Sequence, residues 1–201
     1  MNALESLNRA VFLQWNAAPS AAGWKLAFAA AIADDLIYLV PVVLVAMWCW
    51  GGQQQRQAAL KVCAVALVAL GINQLLAIGF PHPRPSEIGL GHTFIQHAAD
   101  SSFPSDHATV FAALGLTLVF AGVRPVLGWT VLFLGAWVAW ARIYLGVHYP
   151  LDMAGALGVV AVVCLAIGAP WNRLGPYLVT WVERRYHLIL AKPISLGWIR
   201  R

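Results

Sequence analysis

Residues 100–152 read DSSFPSDHATVFAALGLTLVFAGVRPVLGWTVLFLGAWVAWARIYLGVHYPLD. Two apolar runs, about Pro104–Gly122 and Val126–Leu145, meet at the short turn Arg124-Pro125. Pro104 suits the first turn of a helix. The 34 residues between His107 and Arg142 allow one helix down, a turn and one helix back. Each leg covers about 25 Å at ~1.5 Å per residue. The chain therefore leaves an apolar layer's edge at His107 and returns to the same edge at Arg142, with His148 and Asp152 just beyond.

The rest of the chain extends this pattern. Of its 201 residues, 61% are hydrophobic and 10% are charged, too apolar a balance for a soluble domain of this size. A first span is expected over about Lys25–Trp50, with Trp48 and Trp50 as an interfacial anchor, and a second over about Ala58–Phe80. A polar loop, 81–103, precedes the quoted stretch. A fifth span starts at Pro150 and ends near Ala169, its Ala154, Gly155 and Gly158 suited to close helix packing. Residues 2–18 are too short and polar to cross. Leu4, Leu7, Val11 and Phe12 recur there at helical spacing, so an interfacial amphipathic helix is expected. The fold class is all-α: a polytopic transmembrane helical bundle of about five spans plus that N-terminal helix. One domain, 1–201, divides into the interfacial helix (1–23), the transmembrane core (24–170) and a basic, amphipathic tail (171–201) expected to lie on the membrane surface. No cleavable signal peptide is apparent. Cys49, Cys63 and Cys164 fall in apolar segments without metal-type spacing and read as buried small hydrophobes.

The net charge of +5 invites a nucleic-acid reading, but the basic residues are scattered among apolar segments and fit membrane topology better. Five spans put Arg56, Lys61, Arg124, Arg173, Arg184, Arg185, Lys192, Arg200 and Arg201 on the side of the tail. The opposite side carries Arg9, Lys25, Arg84 and Arg142. The positive-inside bias puts the tail in the cytoplasm and the polar clusters outside.

Those clusters have a chemistry. His148 and Asp152 are four apart and share a helical face. A carboxylate bonded to one imidazole nitrogen fixes the tautomer and makes the other nitrogen more basic. His148 is then a nucleophile candidate for phosphorus, and His107 the general acid for the leaving oxygen. Arg84 and Arg142 can fork onto phosphate oxygens. Ser105 adds a hydroxyl near a helix N-terminus, where anions are favoured, and equally suits a helix cap. Asp106 also reads as a first-turn acid favoured by the helix dipole.

With Arg84-Pro85, then Pro104-Ser105-Asp106-His107, then Ala141-Arg142-x5-His148-x3-Asp152, the chain resembles the type-2 phosphatidic acid phosphatase superfamily, whose pattern is Lys-x6-Arg-Pro, Pro-Ser-Gly/Asp-His and Ser-Arg-x5-His-x3-Asp. Asp106, the HPRP loop and the DSSFPSDH run resemble the bacitracin-resistance type of undecaprenyl pyrophosphate phosphatase. The resemblance implies a phosphatase of the bacterial inner membrane that needs no metal or other cofactor. It would release the terminal phosphate of a lipid pyrophosphate at the periplasmic face, with membrane lipids and not nucleic acid as its surroundings. Catalytic roles fall on His148, His107 and Asp152, and phosphate binding on Arg84, Arg142, Ser105 and Asp106. Two positions depart from the pattern: Ala77 stands where the family has lysine, and Ala141 where it has serine. Asn73, Gln74, His82 and His97 are candidates to replace the lysine's contact. The same site would also serve phosphatidylglycerol phosphate, phosphatidic acid or lipid A, a lipid acceptor in place of water, or a non-catalytic flippase.

Outside the motifs, Asp34 and Asp35 interrupt the first span; they set its outer boundary, or one pairs with a site arginine. His92 and His97 read as solvated loop histidines. Glu87 and Asp100 read as ordinary loop acids, with orientation of an arginine or cation binding as the alternatives. The ten tryptophans read as belt and packing residues.

Overall fold

The computed structural model describes residues 3–98 and 100–200, and among these every regular element is a helix. The expected interfacial helix is α1, Ala3–Trp15; Asn2, where it was expected to begin, lies outside the described residues, as does Arg201. The first span is built from α2, Gly23–Ala30, a π turn over Ala31–Asp35, a 3-10 turn over Leu36–Tyr38, and α3, Leu39–Cys49. Then come α4, Gln53–Gly79, α5, Asp106–Phe120, α6, Pro125–Tyr144, and α7, Pro150–Ile189, followed by the short α8, Ala191–Ser195.

Among the described residues, four helical stretches are long and apolar enough to cross a membrane: Gly23–Cys49, Gln53–Gly79, Pro125–Tyr144 and Pro150–Ile189. The remaining expected span, α5, has only 15 residues. Its first turn is capped by Ser105, and Gly122, at φ +63, ends it on the other side. At ~1.5 Å per residue it falls short of the ~30 Å hydrocarbon thickness. It is also the most enclosed helix, packed between α4, α6 and α7, so much of its surface meets protein rather than lipid. Phe111, Leu114 and Leu118 of α5 pack with Val62 of α4 and with Val131 and Val138 of α6. On its other side Ala113 meets Val65 and Ala69 of α4 and Val160 of α7. The closest approach of α5 and α6 requires glycine: a Cβ on Gly128 would sit 2.9 Å from the Gly115 carbonyl oxygen. Small residues permit this kind of close helix contact in membranes. The outer face of the bundle is apolar, with Leu67, Leu75, Ile78 and Leu165 all exposed. A helix bundle that shows hydrocarbon outward is built for lipid.

The tail differs from the expectation of a separate surface segment. α7 continues through Pro170 and Pro176 to Ile189, 40 residues or about 60 Å, twice the hydrocarbon thickness. The reason is a set of contacts beyond the membrane span. Buried Arg56 donates to Glu183 at 3.1 Å and to the Arg200 carbonyl at 2.7 Å, and Trp50 Nε1 donates to the Trp198 carbonyl at 3.0 Å. The chain end is thereby folded back onto the α3–α4 turn. Trp48 packs edge-on against Tyr186 rather than standing free as an anchor. Of the cysteines, Cys164 is buried and Cys49 and Cys63 are half-buried.

The ends of α4, α5, α6 and α7 nearest the polar clusters gather at one end of the bundle. α1 lies over that end: Phe12 is fully buried beside Tyr149 and Ile143, and Asn8 Oδ1 accepts from the Leu151 backbone N–H at 3.0 Å.

Candidate active site

The α6–α7 connection places His148. Gly146 turns the chain at φ +85, and a Cβ there would run into the His92 carbonyl. Pro150 then starts α7, and Asp152 sits in its first turn. Asp152 Oδ2 accepts from the Tyr149 backbone N–H at 2.7 Å and lies 3.1 Å from His148 Nδ1. One carboxylate thus caps a helix and orients the imidazole. With Nδ1 as the donor, Nε2 is left as the lone-pair nitrogen, and it faces Arg84 Nη1 at 3.3 Å. His148 is 3% exposed. Burial, and then the positive charges of Arg142 and Arg84, hold its pKa well below the ordinary histidine value. The resting imidazole is therefore neutral, the form a nucleophile requires.

Arg84 stands at the head of a short turn, Pro85–Ile88, and its backbone N–H donates to Glu87 Oε2 at 2.7 Å. Among the described residues its guanidinium is spread over four partners, Asp100, His148 and the Val147 and Ser101 carbonyls. Nε and Nη2 both donate to Asp100 Oδ1, at 3.0 and 2.6 Å, and Nη1 donates to the Val147 carbonyl at 2.9 Å. Of the readings given for Glu87 and Asp100, the structure has orientation of an arginine: Asp100 holds the guanidinium and Glu87 the backbone N–H.

Arg84, His107 and His148 line one cavity of about 170 Å³, together with His97, Asp106, Asn73 and Gln74. Ala77 lines it too, so no ammonium group stands where the family pattern has lysine. Asp106 accepts from Asn73 Nδ2 at 2.8 Å and from Gln74 Nε2 at 3.5 Å. Its carboxylate thereby ties α5 to α4.

Other candidates sit at the margins. Arg142 is 1% exposed and is not in the cavity wall, although its charge acts on both His97 and His148. Its Nη1 donates to the Ala33 carbonyl at 3.2 Å and to Asp34 Oδ1 at 3.3 Å, and its Nε has no partner among the described residues. The π turn carries both acceptors. Ser105 is fully buried and its hydroxyl accepts from the Ala108 N–H as a helix cap. His82 turns away from the cavity toward α1: Nε2 is 3.5 Å from Glu5, and Nδ1 is 2.9 Å from the Ser102 hydroxyl.

His97 has two readings from the sequence, a solvated loop residue and a candidate to replace the lysine's contact. It lines the cavity, with its ring 5.9 Å from that of His148. Burial, then Arg84 and Arg142, lower its pKa against the opposing pull of Asp100. Among the described residues, no group of three or more His, Cys, Asp or Glu is arranged to hold a metal ion. The cavity brings one guanidinium, Arg84, together with three imidazoles, His97, His107 and His148.

The model of the PAP2 superfamily matches residues 58–174. The chain belongs to the PAP2 superfamily. Along nearly its whole length this PAP2 protein is 39% identical to the Escherichia coli (strain K12) protein named "Putative undecaprenyl-diphosphatase YbjG", covering 98% of this chain and 99% of that one. It is 34% identical to undecaprenyl-diphosphatase BcrC of Bacillus subtilis (strain 168), over 80% of this chain and 82% of that one. Its fold matches the crystal structure of a transmembrane PAP2 type phosphatidylglycerolphosphate phosphatase from Bacillus subtilis with a TM-score of 0.59 at 18% identity, covering 92% of this chain and 88% of the other. The PAP2 protein is thus a multi-pass membrane phosphatase.

One prediction concerns the π turn. Asp34→Asn removes the ion pair that steadies Arg142. Asp34 is half exposed, so the pair is worth little in isolation, and kcat/KM for phosphate release should fall only about three- to tenfold. Asp35→Asn serves as the control and should stay within about twofold. Equal losses in the two variants would remove Asp34 from the site.

Proposed function

We propose that this single-domain protein, 1–201, hydrolyses undecaprenyl pyrophosphate to undecaprenyl phosphate and inorganic phosphate, without a metal, at the periplasmic face of a bacterial inner membrane with its C-terminus in the cytoplasm. The observation that carries the reaction is His148: Nδ1 engaged by Asp152, Nε2 open to a cavity shared with Arg84 and His107. The relatives' names support the choice of lipid, and the basic side chains on the tail side support the orientation.

In the mechanism the terminal phosphoryl group sits against Arg84, with the charge of Arg142 behind it. His148 Nε2 attacks phosphorus in line. The bond to the bridging oxygen breaks and its electron pair stays on the departing lipid phosphate, which takes a proton from His107. Water, deprotonated by His107, then attacks phospho-His148 and releases inorganic phosphate. Asp152 stabilises the imidazolium-like charge of the intermediate. The two guanidinium groups supply the charge neutralisation that a metal ion gives elsewhere. Asp100 has to yield part of its hold on Arg84 as phosphate enters, since Nε and Nη2 both point at it. The anionic pyrophosphate head is bound by Arg84, His97 and His107, which line the cavity, rather than by Ser105, which is committed to the helix cap.

The test is phosphate release by purified protein in detergent with excess chelator, comparing undecaprenyl pyrophosphate, phosphatidic acid and phosphatidylglycerol phosphate. Undecaprenyl pyrophosphate should be fastest, with a rate unchanged by chelator. A faster rate on either phospholipid would reassign the substrate, and loss of activity on chelation would refute metal independence.

A further inference from the structure

A second cavity, of about 460 Å³, lies on the flank of the bundle between α5, α6 and α7, and its lining is almost wholly carbon. Alanines hold it open: Ala108 and Ala112 from α5, Ala136 and Ala139 from α6, Ala154 from α7. Elsewhere small residues let α5 and α6 close up, as at Gly115 and Gly128, whereas here they face a groove. Along α6 the groove runs from Trp129 to Ala139, about 15 Å at ~1.5 Å per residue.

Its outer end meets the reaction centre on all three helices. Ala108 follows His107, Ala139 lies one turn before Arg142, and Met153 and Ala154 follow Asp152. Phe103 joins the two cavities: it lines the polar one, and its ring rests on α7 at Gly155, beside Ala154. We propose that this groove seats the first isoprene units of the substrate's polyprenyl chain. The inference rests on the reaction assigned above. His107 protonates the oxygen that stays with the lipid, so the chain must leave the site on the side of His107, and the groove begins at the next residue. A carbon-lined slot takes hydrocarbon and rejects the charged head, which fixes the order of the two ends.

The experiment fills the groove. Ala136→Phe is the main variant, because Ala136 is exposed and the larger ring need not displace the core. Ala154→Leu tests the opposite wall from another helix. Val162→Phe, an exposed α7 position outside the groove, is the control. Each purified variant is checked for an unchanged unfolding temperature. Phosphate release is then measured on undecaprenyl pyrophosphate and on isopentenyl pyrophosphate, which carries one isoprene unit. The ratio of kcat/KM for the long chain to the short should fall at least about tenfold in both groove variants, mainly through KM, and stay constant in the control. An unchanged ratio in folded groove variants would overturn the proposal and leave the groove to bilayer acyl chains. Wild-type protein inactive on both pyrophosphates would instead remove the assigned reaction, and the groove's role with it.

Discussion

His148→Ala is expected to abolish phosphate release, with a loss of at least about 10⁴-fold in kcat, because the proposed mechanism carries the phosphoryl group on that imidazole. His148 is buried, and its removal leaves Asp152 with only the Tyr149 N–H among the contacts described above. Alanine therefore also costs stability, as a buried carboxylate loses a partner. His148→Asn separates the two effects. Its amide can still donate toward Asp152, so the fold should be nearer to wild type, yet it offers no nucleophilic nitrogen and should be as inactive as alanine. His107→Ala should lose less, about 10²–10⁴-fold, the usual contribution of a general acid. Phosphate release measured on protein with an intact unfolding transition checks all three.

Arg84→Gln is the second large effect. Removing a preorganised charge from a phosphoryl-transfer site costs about 10²–10³-fold in kcat. The same change should move the pH profile. After burial and Arg142, Arg84 is among the causes that hold His148 below its ordinary pKa. Taking that charge away raises the His148 pKa toward the ordinary histidine value. Protonated His148 has no lone pair to attack with, so activity falls as pH drops through its pKa. A higher pKa makes that fall begin at a higher pH. The acid limb of kcat/KM should therefore shift to higher pH in Arg84→Gln, and less in Arg84→Lys, which keeps a charge. A limb that stays put, or moves to lower pH, would mean that Arg84 does not act on the nucleophile.

The helices were legible because each span is a long apolar run with punctuation at its ends: Pro125 and Pro150 start α6 and α7 where expected. The path beyond Ala169 was not legible. Pro170 reads as a stop, yet the helix continues because Arg56, more than a hundred residues earlier, grips Glu183 and the Arg200 carbonyl. The site shows the same division. Arg84, His107 and His148 stand in short ordered motifs, and the return of helix pairs to one edge brings them to one cavity. Asp152 could be paired with His148 because a spacing of four is a local rule. The partners of the arginines are set by tertiary structure. Asp34 meets Arg142 across 108 positions, through a π turn that also leaves the Ala33 carbonyl free to accept. Asp100 meets Arg84 through a loop with no periodicity, and His97 enters the cavity on that same loop. His82, two residues before Arg84, faces α1, its ring held by tertiary contacts with Glu5 and Ser102.

The central claim is a phosphoryl group carried on His148. It is tested by quenching the protein during turnover of undecaprenyl pyrophosphate and mapping the modified residue by mass spectrometry under conditions that preserve phosphohistidine. One phosphoryl group on His148, absent from His148→Asn, is the predicted result. A phosphoryl group on any other side chain, or steady phosphate release by a folded His148→Asn variant, would contradict it.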